Sequence, residues 1–261
     1  MDRYLEKVSH QGLQKSVFLF PGVLGSHQGY ANIVKSLAGT ADIFAVRYPS
    51  TRSAKQADPM RALSAFCAAC IQSSAVRDRY LIGWSMGGMM AYECGAALHS
   101  AGTPATSVIT VDPTGMASLG NVSASTSRAL WEEFLTLRFG ARTKEQILRD
   151  GSFWRYSAPE KFHALQEAFP PGKSLTSTGD LRAAFRHLCH SYAALRNYVP
   201  STYAGNFHTM ISDEWKRTAH PAWLAAHTSL KEFIEVGGNH ITAVLNFCVP
   251  RIAQLVSQEK Q

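Results

Sequence analysis

No apolar run in this chain approaches the ~18 residues that a membrane-crossing helix needs. Its first residues, MDRYLEKVSHQG, are charged and polar and lack the pattern of an export signal. These two absences predict a cytoplasmic protein for which a membrane is not a partner. A paired set of cysteines is missing too. Cys67, Cys70, Cys94, Cys189 and Cys248 are odd in number and scattered through apolar stretches, which fits reduced, buried thiols. Cys67 and Cys70 form a C-x-x-C within AFCAACI, but no second ligand pair and no strand–turn–helix setting accompanies them. They read as a packed helix face rather than a zinc or redox site. Internal repeats and low-complexity tracts are also lacking, which excludes solenoids and disordered tails.

Charge is sparse, at 17% of 261 residues, yet its balance is basic, with a net charge of +7. Nucleic acid is one partner for such a surface, although the Lys and Arg residues are dispersed rather than clustered; an acidic protein also suits it, and charge alone does not choose. With 46% apolar residues, the chain can bury a large core. It fits one domain over residues 1–261, with a sizeable insertion, better than two independent domains.

The first half alternates strand and helix signals. SVFLFPG, DIFAVRY, DRYLIGWS and ATSVITVDP read as strands. YANIVKSLAG, MRALSAFCAACIQSS and GGMMAYECGAALHSAG read as the helices between them. Near-continuously apolar strands in this rhythm predict a mostly parallel sheet covered by helices on both faces. From about 114 to 200 the rhythm breaks into a helix-like, aromatic-rich segment holding Trp131, Phe134, Phe139, Phe153, Trp154, Tyr156, Phe162 and Phe169. We read it as a lid inserted between two strands. Alternation resumes with GNFHTMIS as a strand, a helix near HPAWLAAH, the strand KEFIEV and a last helix from about Ile241.

Residues 83–87 read Gly-Trp-Ser-Met-Gly, directly after an apolar strand and before a helix rich in small residues. That is the context a nucleophile elbow of the α/β-hydrolase fold requires, with Ser85 raised above the sheet's end on a strained turn. A serine hydroxyl needs a base. Of ten histidines, His240 in EVGGNHIT follows a strand and precedes the last helix, on a loop that Gly237 and Gly238 let turn. It also satisfies the Ser…acid…His order of that fold. His99, His187, His190, His208, His220 and His227 lie in helix or strand patterns or flank a helix, and read as packing or surface residues.

Two residues compete for the acid that holds the imidazole. Asp112 closes the apolar strand VITVD ahead of Pro113, whereas Asp213 opens a charged stretch that looks like a solvated helix start. Strand-end geometry favours Asp112. The oxyanion hole needs two backbone N–H donors: Met86 follows the nucleophile, and Val23 lies in FPGVLGS, the loop after the first strand of this reading. That loop has neither G-x-G-x-x-G spacing nor a Lys followed by Ser/Thr, which argues against phosphate binding. No residue set calls for a cofactor or a metal.

FPGVLGS, GWSMGG, VITVDP and GGNH, in that order and with a helical insertion before the last, resemble the thioesterase domains of nonribosomal peptide and polyketide synthases. The resemblance runs from about Val17 to Leu255. It implies a triad of Ser85, Asp112 and His240, with the amides of Val23 and Met86 as oxyanion donors. It also implies an acyl or peptidyl substrate carried as a thioester on the phosphopantetheine arm of a carrier protein, released by hydrolysis or cyclisation. The aromatic-rich insertion is then expected to line the acyl pocket. Separate editing thioesterases share the FPG and G-x-S-x-G motifs but usually take their acid from the later strand, so a preference for Asp112 favours product release. A stand-alone carboxylesterase and a catalytically silent binding module are the competing readings.

Overall fold

Apolar strands whose successive side chains point to opposite faces can be buried on both sides, and here they are. The structure is a computed structural model that describes residues 2–49, 58–74, 76–113, 127–149, 151–168, 177–195, 198–218 and 230–258. Strands β1 (Leu5–Ser9), β2 (Lys15–Phe20), β3 (Asp42–Val46), β4 (Asp78–Trp84), β5 (Ser107–Val111), β6 (Phe207–Ile211) and β7 (Leu230–Glu235) form one sheet in the order β1-β3-β2-β4-β5-β6-β7. The pairs from β3 through β7 are parallel, and only β1 runs antiparallel, against β3.

The alternation along β2 shows how the layers form. Val17 and Leu19 pack into one cluster with Ile33 and Leu37 of α1 (Ala31–Leu37). Phe18 and Phe20 face the other way, into a cluster with Met60, Cys67 and Ile71 of α2 (Pro59–Gln72) and Met89 and Met90 of α3 (Met86–Ser100). Cys67 and Cys70 are both buried on α2, and burial pushes the Cys67 thiol up to about 12, where it stays protonated.

The chain divides into two compact units, one comprising residues 1–119 with 194–261 and the other residues 120–193. The second holds α4 (Ser127–Phe139), α5 (Ala141–Leu148), a short 3-10 turn (Ser152–Arg155), α6 (Ala158–Ala168) and most of α7 (Thr178–Leu195). Among its described residues there is no strand. Its aromatics pack on one another. Trp131 stacks on Phe185 at 4.1 Å and lies edge-on to Phe153 and Phe134, at 5.6 and 5.8 Å. Trp131, Phe134, Phe153 and Phe162 are all buried. These four pack together as a core of the unit's own. Phe169 lies outside the described residues.

In the first unit, α8 (Asp213–Thr218) follows β6. After β7 come a single helical turn α9 (His240–Thr242), a π turn (Ala243–Phe247) and α10 (Val249–Ser257), whose Ile252 and Val256 join the α1 side of the core. The expected helix near HPAWLAAH lies outside the described residues. The loop at 198–203 is tied to α3 by the buried carboxylate of Glu93, which accepts bonds from Tyr198 Oη at 2.6 Å and from Ser201 N and Oγ at 2.7 Å each. Among the described residues no helix is long and apolar enough to cross a membrane.

Strand β1 was not expected from the sequence. Its residues LEKVS are mostly exposed and hold the sheet edge through backbone pairing, from Leu5 opposite Val46 to Ser9 opposite Ile43. A strand that buries almost nothing has no apolar period to read, and its charges also protect an open edge.

The β1–β2 connection is held by Asp42. Its buried carboxylate accepts bonds from the amides of Gln11 at 2.7 Å and Leu13 at 3.2 Å, and meets His10 Nδ1 at 2.8 Å. Burial works to raise its pKa, but those amides and His10 together hold it below the ordinary carboxylate value. A lowered folded-state pKa contributes stability that is present above the unfolded value near 4, and lost as pH falls through the folded value. Asp42→Ala is therefore expected to lower unfolding stability by about 2 kcal/mol at pH 7, and the gap between variant and parent should narrow as pH falls below about 4 in urea titrations.

Candidate active site

The turn between β4 and α3 is built by close approach. A β-carbon at position 83 would sit 2.0 Å from the Gly87 carbonyl oxygen, and one at position 87 would sit 2.2 Å from that of Phe20. Only glycine fits either place. The chain is thereby forced sharply from strand to helix, and Ser85 takes φ 57°, ψ −129°, a conformation that costs a non-glycine residue ~1–3 kcal/mol. The Ser85 amide donates to the Val111 carbonyl at 2.9 Å, and its own carbonyl accepts from Gly88 at 2.9 Å. These bonds fix the serine at the carboxyl ends of β4 and β5.

Asp112 directly follows β5 and has the other positive φ among the described non-glycine residues, 41°. Its carboxylate is wholly buried, and a buried charge needs partners. Ser212 N donates to Oδ1 at 2.6 Å, and His240 Nδ1 lies 3.4 Å from Oδ2. The latter contact is longer than a strong hydrogen bond, as unliganded sites often are.

His240 opens α9 behind the Asn239 cap. Asn239 Oδ1 accepts from the amides of Ile241 and Thr242, and Thr242 Oγ1 accepts in return from Asn239 N at 2.8 Å. The His240 amide donates to Glu214 Oε2 at 2.8 Å, and Gly238 N donates to Asp213 Oδ2 at 3.3 Å. The two acid candidates are thus separated by position. Asp112 meets the imidazole, whereas Asp213, at the start of α8, meets the backbone two residues before it.

Val23 lies in the turn after β2, where Gly25 N donates to Gly22 O at 2.9 Å. Met86 is the first residue of α3, where helix geometry leaves amides without an intrahelical acceptor and the dipole favours negative charge. One hydroxyl joins the two regions. Tyr30 Oη donates to Phe20 O at 2.6 Å and accepts from Trp84 N at 2.7 Å. Burial holds that phenol far above its ordinary value, so it remains a donor.

Sequence reasoning missed Tyr30 and Glu214, since a lone Tyr in a helical pattern and a Glu in a charged stretch carry no signal. The Asn239 cap was also passed over, although Asn directly ahead of an apolar helical run is a helix-start signal. Together the residues set a strained serine at a helix N-terminus, a buried carboxylate on an imidazole, and a turn rich in backbone amides around one sheet rim. That is the equipment for attack on an acyl carbon.

The family model for the thioesterase domain matches residues 15–167, more than half of the chain. The chain belongs to the thioesterase domain family. No curated protein matches it. Solved structures that resemble this thioesterase include holo-AB3403, a four-domain nonribosomal peptide synthetase bound to AMP and glycine. That match has a TM-score of 0.75 at 18% identity, and covers 97% of this chain and 20% of that one, so this chain spans about a fifth of the synthetase. The Vlm2 thioesterase domain bound with a dodecadepsipeptide matches with a TM-score of 0.66 at 18% identity, covering 97% and 96% of the two chains. SrfTE, a thioesterase domain that cyclises the lipopeptide antibiotic surfactin, matches with a TM-score of 0.60 at 16% identity, covering 94% and 93%. At such identities the likeness is one of fold, and it is the α/β-hydrolase fold.

The elbow's packing gives a direct check. Gly87→Ala is expected to destabilise the protein by about 2 kcal/mol or more, a fall of roughly 4–8 °C in the thermal midpoint for a chain of this size. A midpoint within a degree of the parent's would mean the elbow is looser than described.

Proposed function

We propose that this thioesterase releases an acyl or peptidyl chain from the phosphopantetheine arm of a carrier protein, through an ester on Ser85. The observation that carries the reading is the strained Ser85 turn beside the Asp112–His240 contact at the next strand end. Ser85 Oγ attacks the thioester carbonyl while His240 takes its proton, and buried Asp112 holds the imidazole and stabilises the imidazolium. The amides of Val23 and Met86 receive the charge that develops on the carbonyl oxygen. The tetrahedral adduct collapses with departure of the thiol, a far better leaving group than an alcohol, and His240 supplies the proton. Water, activated by the same imidazole, then hydrolyses the acyl-Ser85 ester. An amine or hydroxyl of the chain attacking in its place gives cyclisation.

The Asp112–His240 contact favours product release over proofreading, because editing enzymes usually take their acid from the later strand. The net charge of +7 suits electrostatic steering of an acidic carrier protein. No cofactor beyond the substrate's own pantetheine arm is required, and neither nucleic acid nor a membrane takes part. The setting is the cytoplasm. The insertion acts as a lid that limits water, built around its own buried aromatics.

With an acyl N-acetylcysteamine thioester, Ser85→Ala should lower turnover by at least ~10³-fold, and intact mass should show an acyl adduct on the parent protein alone. Persistent turnover in Ser85→Ala overturns the mechanism. Faster cleavage of the matched oxygen ester than of the thioester would favour a carboxylesterase. Asp112→Asn should cost ~10⁴-fold in kcat and Asp213→Asn less than about tenfold. A reversed order would move the acid to the later strand.

A further inference from the structure

Trp84, the residue before the nucleophile, touches the base at two points. Its indole Nε1 donates to the His240 carbonyl at 2.8 Å, and the two rings lie 5.0 Å apart, tilted by 35°. Its other surroundings are equally close. A β-carbon at Gly22 or Gly29 would stand 3.6–3.7 Å from the edge of the indole's six-membered ring, so the segment after β2 lies against it. The Trp84 amide is held in turn by Tyr30 Oη. The indole is therefore wedged between two segments distant in the chain, the stretch after β2 and the first residue of α9.

We infer that Trp84 is the positioning residue for the His240 imidazole, setting the base relative to the serine beside which the tryptophan itself stands. The inference rests on the reading of Ser85 and His240 as nucleophile and base. Two contacts do different work. The N–H···O bond anchors the backbone of His240, so the Cα from which the imidazole swings cannot drift from the elbow. The indole face restricts rotation of the ring, keeping Nδ1 toward Asp112. It also offers its negative quadrupole to the imidazolium formed as Ser85 gives up its proton. Asp112 faces the ring of His240, while Glu214 accepts from its backbone amide and Asp213 from that of Gly238. Trp84 is thus the flat surface against which the imidazole is set. This gives the bulky residue within G-W-S-M-G a role that its proximity to a pocket does not.

The test is a double-substitution cycle, read on an acyl N-acetylcysteamine thioester and on an activated p-nitrophenyl ester, with rates normalised to the concentration of folded protein checked by circular dichroism. Trp84→Phe keeps an aromatic face and loses the N–H; Trp84→Leu loses both. Expected are falls in kcat of about tenfold for Phe and about a hundredfold for Leu, with KM within twofold, as small misplacements of a catalytic group produce. In a His240→Ala background both substitutions should change the residual rate by less than twofold, because the group they position is gone. Equal losses in both backgrounds, or a loss confined to KM, overturn the inference. If His240→Ala alone leaves the rate unchanged, the assignment of the base has failed instead.

Discussion

Close approach at the strand–helix turn is the constraint on which the rest of the site depends. Gly83 and Gly87 carry no side chain because the carbonyls of Gly87 and Phe20 occupy the space one would take. That contact brings β2, β4 and α3 together at a single point, and it fixes where the residues between them must go. Ser85 is strained because its neighbours leave it no other path. Once it is placed, the amide of Met86 and the end of β5 follow, since Ser85 N bonds the carbonyl of Val111 directly before Asp112. The geometry of the candidate site is in this sense a by-product of packing.

The sheet was legible in the sequence wherever a strand is buried on both faces. β2, β3, β4, β5 and β6 are apolar runs with buried residues throughout or nearly so, and each stands where its run predicted it. β1 was not legible, because it pairs at the edge and buries little. For the candidate site, Ser85 and His240 were carried by local pattern, a strand–turn–helix motif and a post-strand loop. The preference for Asp112 rested on its strand-end position, and the contacts now separate it from Asp213, which reaches the Gly238 amide. The bonds made by Tyr30, Trp84 and Glu214 were beyond reach. They join residues 54, 156 and 26 positions apart, and nothing local marks such pairings.

The insertion shows one use to which an aromatic-rich composition is put. Its aromatics suggested a surface for an acyl chain, yet Trp131, Phe134, Phe153 and Phe162 face one another. A small helical unit with its own contacts must spend its largest side chains inside, since few other residues can supply enough apolar area. Aromatic richness there reports the difficulty of stabilising a short segment before it reports a ligand.

Three consecutive residues at the end of β6 all turn toward the histidine loop or its carboxylate. Ser212 gives its amide to Asp112, Asp213 accepts from Gly238, and Glu214 accepts from His240. The fold therefore holds two neighbouring seats for one carboxylate, and a chain that vacated the first would have little distance to travel to the second. The imidazole loop is thereby gripped from two successive strand tips, by side chain at one and by backbone at the other.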